Sequence, residues 1–227
     1  MLETIKGTTI NVTKEWIPQL PKIPYRHGRA KPEGIVFHCT SSAGRPDLAG
    51  QEATYEARTW NQAFVHFFVD DKKIIQVADT DYIAWGCGSV GNSRFLQIEL
   101  CMFDVQEKNP FIKAYSQYLQ LAATLLLRYR LEPKGVAPYG TLWSHQDVSK
   151  YLGGTTHTDP IAYLSSHGIS WAQHLANVHH AYSQLQKKLR FISVTGWFHS
   201  LSEAEAAASR IKEMTGWNSH AMFDEDW

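Results

Sequence analysis

A few residues stand where their types and spacing could do chemistry. His38 closes the run Gly34-Ile35-Val36-Phe37-His38-Cys39, at the loop edge of a buried-looking strand, where side chains emerge at the rim of a sheet. His145 lies in Trp143-Ser144-His145-Gln146-Asp147, and His157-Thr158-Asp159-Pro160 follows shortly after. Imidazole and carboxylate are ordinary Zn²⁺ ligands, and three protein ligands plus a water make the open, catalytic form of such a site. No Cys-x-x-Cys pair exists, so a closed structural zinc site is not expected. From spacing alone, a surface or capping role stays open for each of these histidines.

The elements around these residues alternate in type. Residues 1–33, rich in Pro, Lys and turn formers, read as an irregular arm before the strand at 34–39. Residues 50–63 read as a helix. Val65–Val69 and Ile74–Val77 flank the polar turn 70–73 and read as a hairpin. Phe95–Cys101 is a further strand. Asn109-Pro110 suits a helix start, and Phe111, Ala114, Tyr115, Tyr118, Ala122, Leu125 and Leu126 then share one apolar face. Leu142–His145 is a short extended piece after a loop with two prolines. Strands alternating with helices indicate an α/β domain, here a central mixed β-sheet flanked by helices, ending near residue 168. From Ser170 a second amphipathic helix carries Trp171, Leu175, Val178, Tyr182, Leu185 and Leu189. Phe191–Val194 then reads as a strand and 202–214 as a helix, a small β-α extension.

Composition removes several function classes. The 227 residues hold 22 Lys+Arg against 22 Asp+Glu, a formal charge of zero, so the chain lacks the basic footprint of nucleic-acid binding. Three cysteines, Cys39, Cys87 and Cys101, cannot make a fully paired disulfide framework and fit a reducing compartment. No apolar run approaches the roughly 18 residues that span a bilayer, so membrane insertion is not expected. The first twenty residues lack the pattern of a signal peptide, which implies synthesis in the cytoplasm. The unusual feature is the count of 11 histidines.

Five segments in order go beyond spacing. Gly34–Thr40 resembles the first metal strand of the zinc-dependent, type-2 N-acetylmuramoyl-L-alanine amidases, a family that includes phage endolysins, autolysins and peptidoglycan-recognition proteins. Val65-His66-Phe67-Phe68-Val69-Asp70-Asp71 with Ile75-Gln76 is similar to the family's "HF-V-D…I-Q" hairpin, and Ala84-Trp85-Gly86-Cys87-Gly88 to its "A-W-H-A-G" loop. Gly91-Asn92-Ser93 with Ile98-Glu99-Leu100 looks like "G-N…I-G-I-E". His145-Gln146-Asp147-Val148-Ser149 through Thr158-Asp159-Pro160 looks like "H-R-D-V-S…K-T-D-P". The matches cover roughly residues 30–165.

The resemblance implies Zn²⁺ held by His38, His145 and Asp159, with Glu99 as the catalytic carboxylate and His157 where many members carry an oxyanion-stabilising Lys. Gly86 and Gln97 depart from the His and the Gly of the family motifs, and Val65 stands where some members have a catalytic Tyr. His157 is expected to act protonated, since free histidine titrates near pH 6.5. Trp85 and His66 are expected along the substrate groove, His66 more as a supporting histidine than as a ligand. Domains follow as 1–168, the zinc amidase catalytic domain; 169–190, a linker helix; and 191–227, an extension with Gly-Trp turns (Gly196-Trp197, Gly216-Trp217) faintly similar to small SPOR-type wall-binding repeats. The implied function is hydrolysis of the amide between N-acetylmuramic acid and L-Ala in bacterial peptidoglycan, by a monomer acting on the cell wall as a phage endolysin. A nonenzymatic peptidoglycan-binding module and a cytoplasmic muropeptide-recycling amidase are the alternatives.

Overall fold

The β-branched and aromatic run beginning at Gly34 forms a ten-residue strand at the heart of the computed structural model, which describes residues 3–4, 10–26, 31–43, 48–135, 138–194 and 201–215. In chain order the strands are β1 (Glu3–Thr4), β2 (Asn11–Lys14), β3 (Gly34–Ala43), β4 (Phe67–Val69), β5 (Ile74–Gln76), β6 (Phe95–Met102) and β7 (Leu142–Ser144). The helices are α1 (Leu48–Thr59), α2 (Ser89–Asn92), α3 (Lys108–Arg128), α4 (His145–Tyr151), α5 (Ile161–Ser166), α6 (Trp171–Val194) and α7 (Leu201–Thr215). The strands form one seven-stranded sheet in the order β1-β2-β5-β4-β6-β3-β7. It is mixed: β3 runs parallel to both β6 and β7, and β4 parallel to β6, while β4 and β5 pair antiparallel as the expected hairpin.

Both faces of β3 are covered, as a parallel strand requires. Ile35, Val36 and Phe37 are all fully buried. Ile35 and Phe37 face the main core, where Phe37 meets Tyr118 of α3 edge-on at 5.3 Å. Val36 faces the other way, into a smaller cluster with Cys87, Phe95, Trp143 and Val148. Strand alternation then sends His38 to the side of Val36 and Cys39 back to the main core.

Three expectations are corrected. The arm at 1–33 is not wholly irregular: β2 adds parallel to β5, and β1 pairs antiparallel outside it at the sheet edge. Val12 and Thr13 are β-branched, but the run Asn-Val-Thr-Lys is too short to mark a strand by itself, and pairing with β5 selects the conformation. Pro110 lies inside the first turn of α3, which starts at Lys108 with Glu107 as cap, where a missing N–H costs no intrahelical bond. Phe191–Val194 is not a strand but the end of α6. Extending a helix adds a hydrogen bond per residue, whereas β-branched residues without a partner strand gain none. Within the segment expected as a linker, Val178, Tyr182 and Leu185 of α6 join the main core. The Gly-Trp turns at 196–197 and 216–217 lie outside the described residues.

Candidate active site

Register brings the site together. Phe37 pairs with Ser144, so His145, the next residue and the first of α4, stands beside His38. Their rings meet edge-on at 4.6 Å. The entry into α4 is fixed by a capping box, in which the Ser144 hydroxyl accepts from the Asp147 N–H and the Asp147 carboxylate accepts from the Ser144 N–H. Gly153 and Gly154 follow α4 with φ of 71° and 78°, left-handed values that favour glycine, and turn the chain back toward His145. The returning stretch of chain is tied down where the His145 N–H donates to the Asp159 carbonyl at 3.0 Å.

Asp159 thereby places one carboxylate oxygen 3.1 Å from His38 Nδ1 and the other 3.0 Å from His145 Nδ1. The main-chain N–H of Cys39 also donates to this carboxylate, at 3.3 Å. Burial pulls the Asp159 carboxyl upward, but the neighbouring imidazoles of His145 and His38 outweigh that and hold it far below the usual carboxylate range. One ligand atom from each of His38, His145 and Asp159 lies within 4.8 Å of the others.

A divalent cation fits this set. Among the described residues His145 Nδ1, which is buried, makes no hydrogen bond although Asp159 is close, while its Nε2 is engaged by Thr155 Oγ1 at 2.9 Å. The ring therefore turns an unused nitrogen toward a carboxylate and a second imidazole, a donor set suited to Zn²⁺. A zinc ion held there would polarise a carbonyl and acidify an attacking water. Cys39 takes no part: burial pushes its thiol up, with Glu99 and Asp159 adding to the effect.

Glu99 on β6 is the register partner of His38 and lines the same groove. Its Oε2 is buried without a hydrogen-bond partner among the described residues. Burial pushes its carboxyl well up, reinforced by Asp159, Glu56 and Glu52. His157 lies at the groove mouth, its side chain 71% exposed and its ring stacked on His145 at 4.8 Å.

The two expected groove residues are corrected. His66 is fully buried: its Nδ1 accepts the Gln97 N–H at 3.0 Å and its Nε2 faces the Tyr82 carbonyl at 2.9 Å. Those bonds turn the ring inward to hold β6 against the hairpin, and it presents no atom to the groove. Trp85 packs behind Phe64, ring to ring at 5.3 Å, and it is Phe64 and Gly86 that line the groove.

Sequence reasoning missed one wall. Glu52, Tyr55, Glu56 and Thr59 of α1 line the groove. Their i, i+3, i+4, i+7 spacing was the available signal, yet a polar stripe at that spacing ordinarily faces solvent. Glu56 is buried, its Oε2 accepting the Val65 N–H at 3.0 Å. The departures at Gly86 and Gln97 also prove to be one feature. A Cβ at position 86 would stand 2.4 Å from Gln97 Oε1, so the side chain at 97 fills the space that one at 86 would need.

Two imidazoles, a carboxylate and a further carboxyl, brought to one groove by β3, β6, the start of α4 and the turn before α5, make a donor set that could serve a metal-dependent hydrolase. Comparison with known proteins makes the class specific. The profile of the N-acetylmuramoyl-L-alanine amidase family, Amidase_2, matches residues 28–162, and the chain belongs to that family. Protein Ami of Listeria monocytogenes is 36% identical over 217 residues, 95% of this chain and 22% of that protein. Bifunctional autolysin of Staphylococcus aureus is 42% identical over 165 residues, 71% of this chain and 13% of that protein. The chain thus spans less than a quarter of either relative. The solved structure of S. aureus hydrolase AmiA, in complex with its ligand, aligns with a TM-score of 0.72 at 38% identity, over 78% of this chain and 85% of that one. A mutant endolysin from Bacillus subtilis shares the fold, with a TM-score of 0.55 at 22% identity over 74% of this chain and 99% of that one.

Proposed function

We propose that this chain hydrolyses the amide between N-acetylmuramic acid and L-Ala in bacterial peptidoglycan, with Zn²⁺ held by His38, His145 and Asp159. The observation that carries the reading is the convergence of these three side chains beside Glu99 in one groove. Glu99 accepts the proton of the attacking water, and His157, stacked over His145 at the open edge, donates to the oxyanion. The α1 wall, with Tyr55 57% exposed, holds the polymer against the site. Filled ligand positions favour catalysis over a purely binding role.

The phage-endolysin setting expected from the sequence has a competitor in the comparisons. The relatives at 36% and 42% identity are named Ami and Bifunctional autolysin, which favours an autolysin-like role in wall turnover. Among the described residues no helix is long and apolar enough to cross a membrane.

The deciding assay is release of new L-Ala amino termini from purified cell wall, with and without EDTA. Release that EDTA abolishes and Zn²⁺ restores supports the reading; wall binding by zinc-replete protein without new termini overturns it. In the same proposal residues 191–227 serve as a wall-targeting extension of a catalytic domain at 1–168. Deleting 195–227, beyond α6, should weaken pelleting with walls and spare cleavage of soluble muropeptides, and unchanged pelleting would remove the targeting role.

A further inference from the structure

We infer that Thr155 is a positioning residue for the metal site, fixing the tautomer of His145 and anchoring His157 through one hydroxyl oxygen; this rests on the reading of His38, His145 and Asp159 as a zinc site. A neutral imidazole carries its single hydrogen on one nitrogen, and the hydrogen bond made by the other nitrogen decides which lone pair is free for a metal. For His145 that bond is at Nε2, 2.9 Å from Thr155 Oγ1. With Nε2–H donating to Thr155, the lone pair stays on Nδ1, the atom facing Asp159.

His38 has no comparable support. Its Nε2 is buried and lacks a hydrogen-bond partner among the described residues. Of the two imidazoles, only His145 has its remote nitrogen held among the described residues, so the orientation of that ring rests on Thr155.

The same oxygen reaches the second half of the site. Thr155 Oγ1 also accepts the main-chain N–H of His157 at 3.4 Å, and the His157 carbonyl accepts the Ser149 hydroxyl at 2.6 Å. Oγ1 accepts from His157 with one lone pair and has a second with which to accept Nε2–H. The left-handed pair Gly153-Gly154 immediately before Thr155 sets the turn that brings it back over the start of α4. Loss of the hydroxyl therefore disturbs ligand geometry and the placement of His157 together, without removing either side chain.

The test is zinc affinity by chelator competition on the full chain, for wild type and for Thr155→Val, Thr155→Ala and Thr155→Ser, together with ¹⁵N chemical shifts of the His145 ring in metal-free protein. Val keeps the shape and Ser keeps the oxygen; Ala serves if Val disturbs folding. The expected result is affinity weakened about 10–100-fold in Val and Ala, within about threefold of wild type in Ser, and a His145 ring that is Nε2-protonated only where an oxygen is present. Wild-type affinity in Val or Ala, or a Ser variant as weak as Val, overturns the assignment to Thr155. Failure of wild type itself to bind zinc instead overturns the metal site on which the inference rests.

Discussion

His38 and Glu99 are direct partners across the parallel strands β3 and β6, so an imidazole of the proposed metal site and a carboxyl rise side by side on one face of the sheet. This relation gives each a separate duty. His38 has its Nδ1 turned to Asp159, whereas Glu99 lies outside the proposed ligand trio and keeps an oxygen without a partner among the described residues. Burial holds the Glu99 carboxyl above its usual range, the direction that suits the general base proposed for it.

Glu99→Gln should therefore retain zinc while kcat falls by about 10²–10⁴-fold, the range for losing a general base. Metal content and initial rates on a soluble muropeptide are the measurements. Loss of zinc with the carboxylate would mean that Glu99 belongs to the coordination sphere.

Asp159→Ala removes the carboxylate that meets both imidazoles and the Cys39 amide. Purified side by side with wild type, it should carry little or no zinc and show no amidase activity. Equal zinc in the two proteins would break the ligand assignment.

Gly86 and Gln97 should behave as a coupled pair. Gly86→Ala drives a Cβ against Gln97 Oε1 and toward Val65 Cγ1, and overpacking of this kind costs about 1–3 kcal/mol. In a Gln97→Gly background the same substitution should cost clearly less, with only the contact to Val65 Cγ1 at 3.0 Å left to relieve. Chemical denaturation of the four proteins in the cycle reads the coupling, and additive effects would show that the two departures are independent.

Tyr55 stands 57% exposed on the α1 wall, so Tyr55→Ala should change stability by no more than about 0.5 kcal/mol. Its effect should fall on KM for polymeric wall, raised several-fold with kcat unchanged. An unaltered KM would take α1 out of substrate binding.

The buried histidines predict a pH effect of defined sign. Burial lowers His174 to about 3, with its ring among Phe37, Trp171 and Tyr115. Folded protein thus holds the ring neutral while the unfolded chain takes up a proton below about pH 6.5, and stability falls as pH falls through that range. Glu56 and Glu99, raised by burial, act in the opposite direction as pH falls toward the ordinary carboxylate range, so the comparison is made against a variant that keeps them. The stability of His174→Phe relative to wild type should rise by about 1.4 kcal/mol per pH unit as pH falls from about 6.5 to about 5. A pH-independent difference would show that His174 is protonated in the native state.

Much of the site was legible in the chain because its parts carry local signatures. The strand Gly34–Cys39 announces itself by β-branched and aromatic residues, the hairpin by its polar turn, and His145 by its place after a short extended run. The ordered motifs then name His38, His145, Asp159 and Glu99. Tertiary structure decided the rest. The inward turn of His66 depends on the Gln97 amide and the Tyr82 carbonyl, neither of which its own sequence neighbours reveal. The fate of Phe191–Val194 turned on whether a partner strand exists, and that of Asn11–Lys14 on the open edge of β5. Thr155 and the α1 wall gained their meaning only when the fold laid them against His145 and Glu99. Residue type and local period specify which way a segment bends and which face it buries; what that face then meets is set by register and packing among segments far apart in the chain.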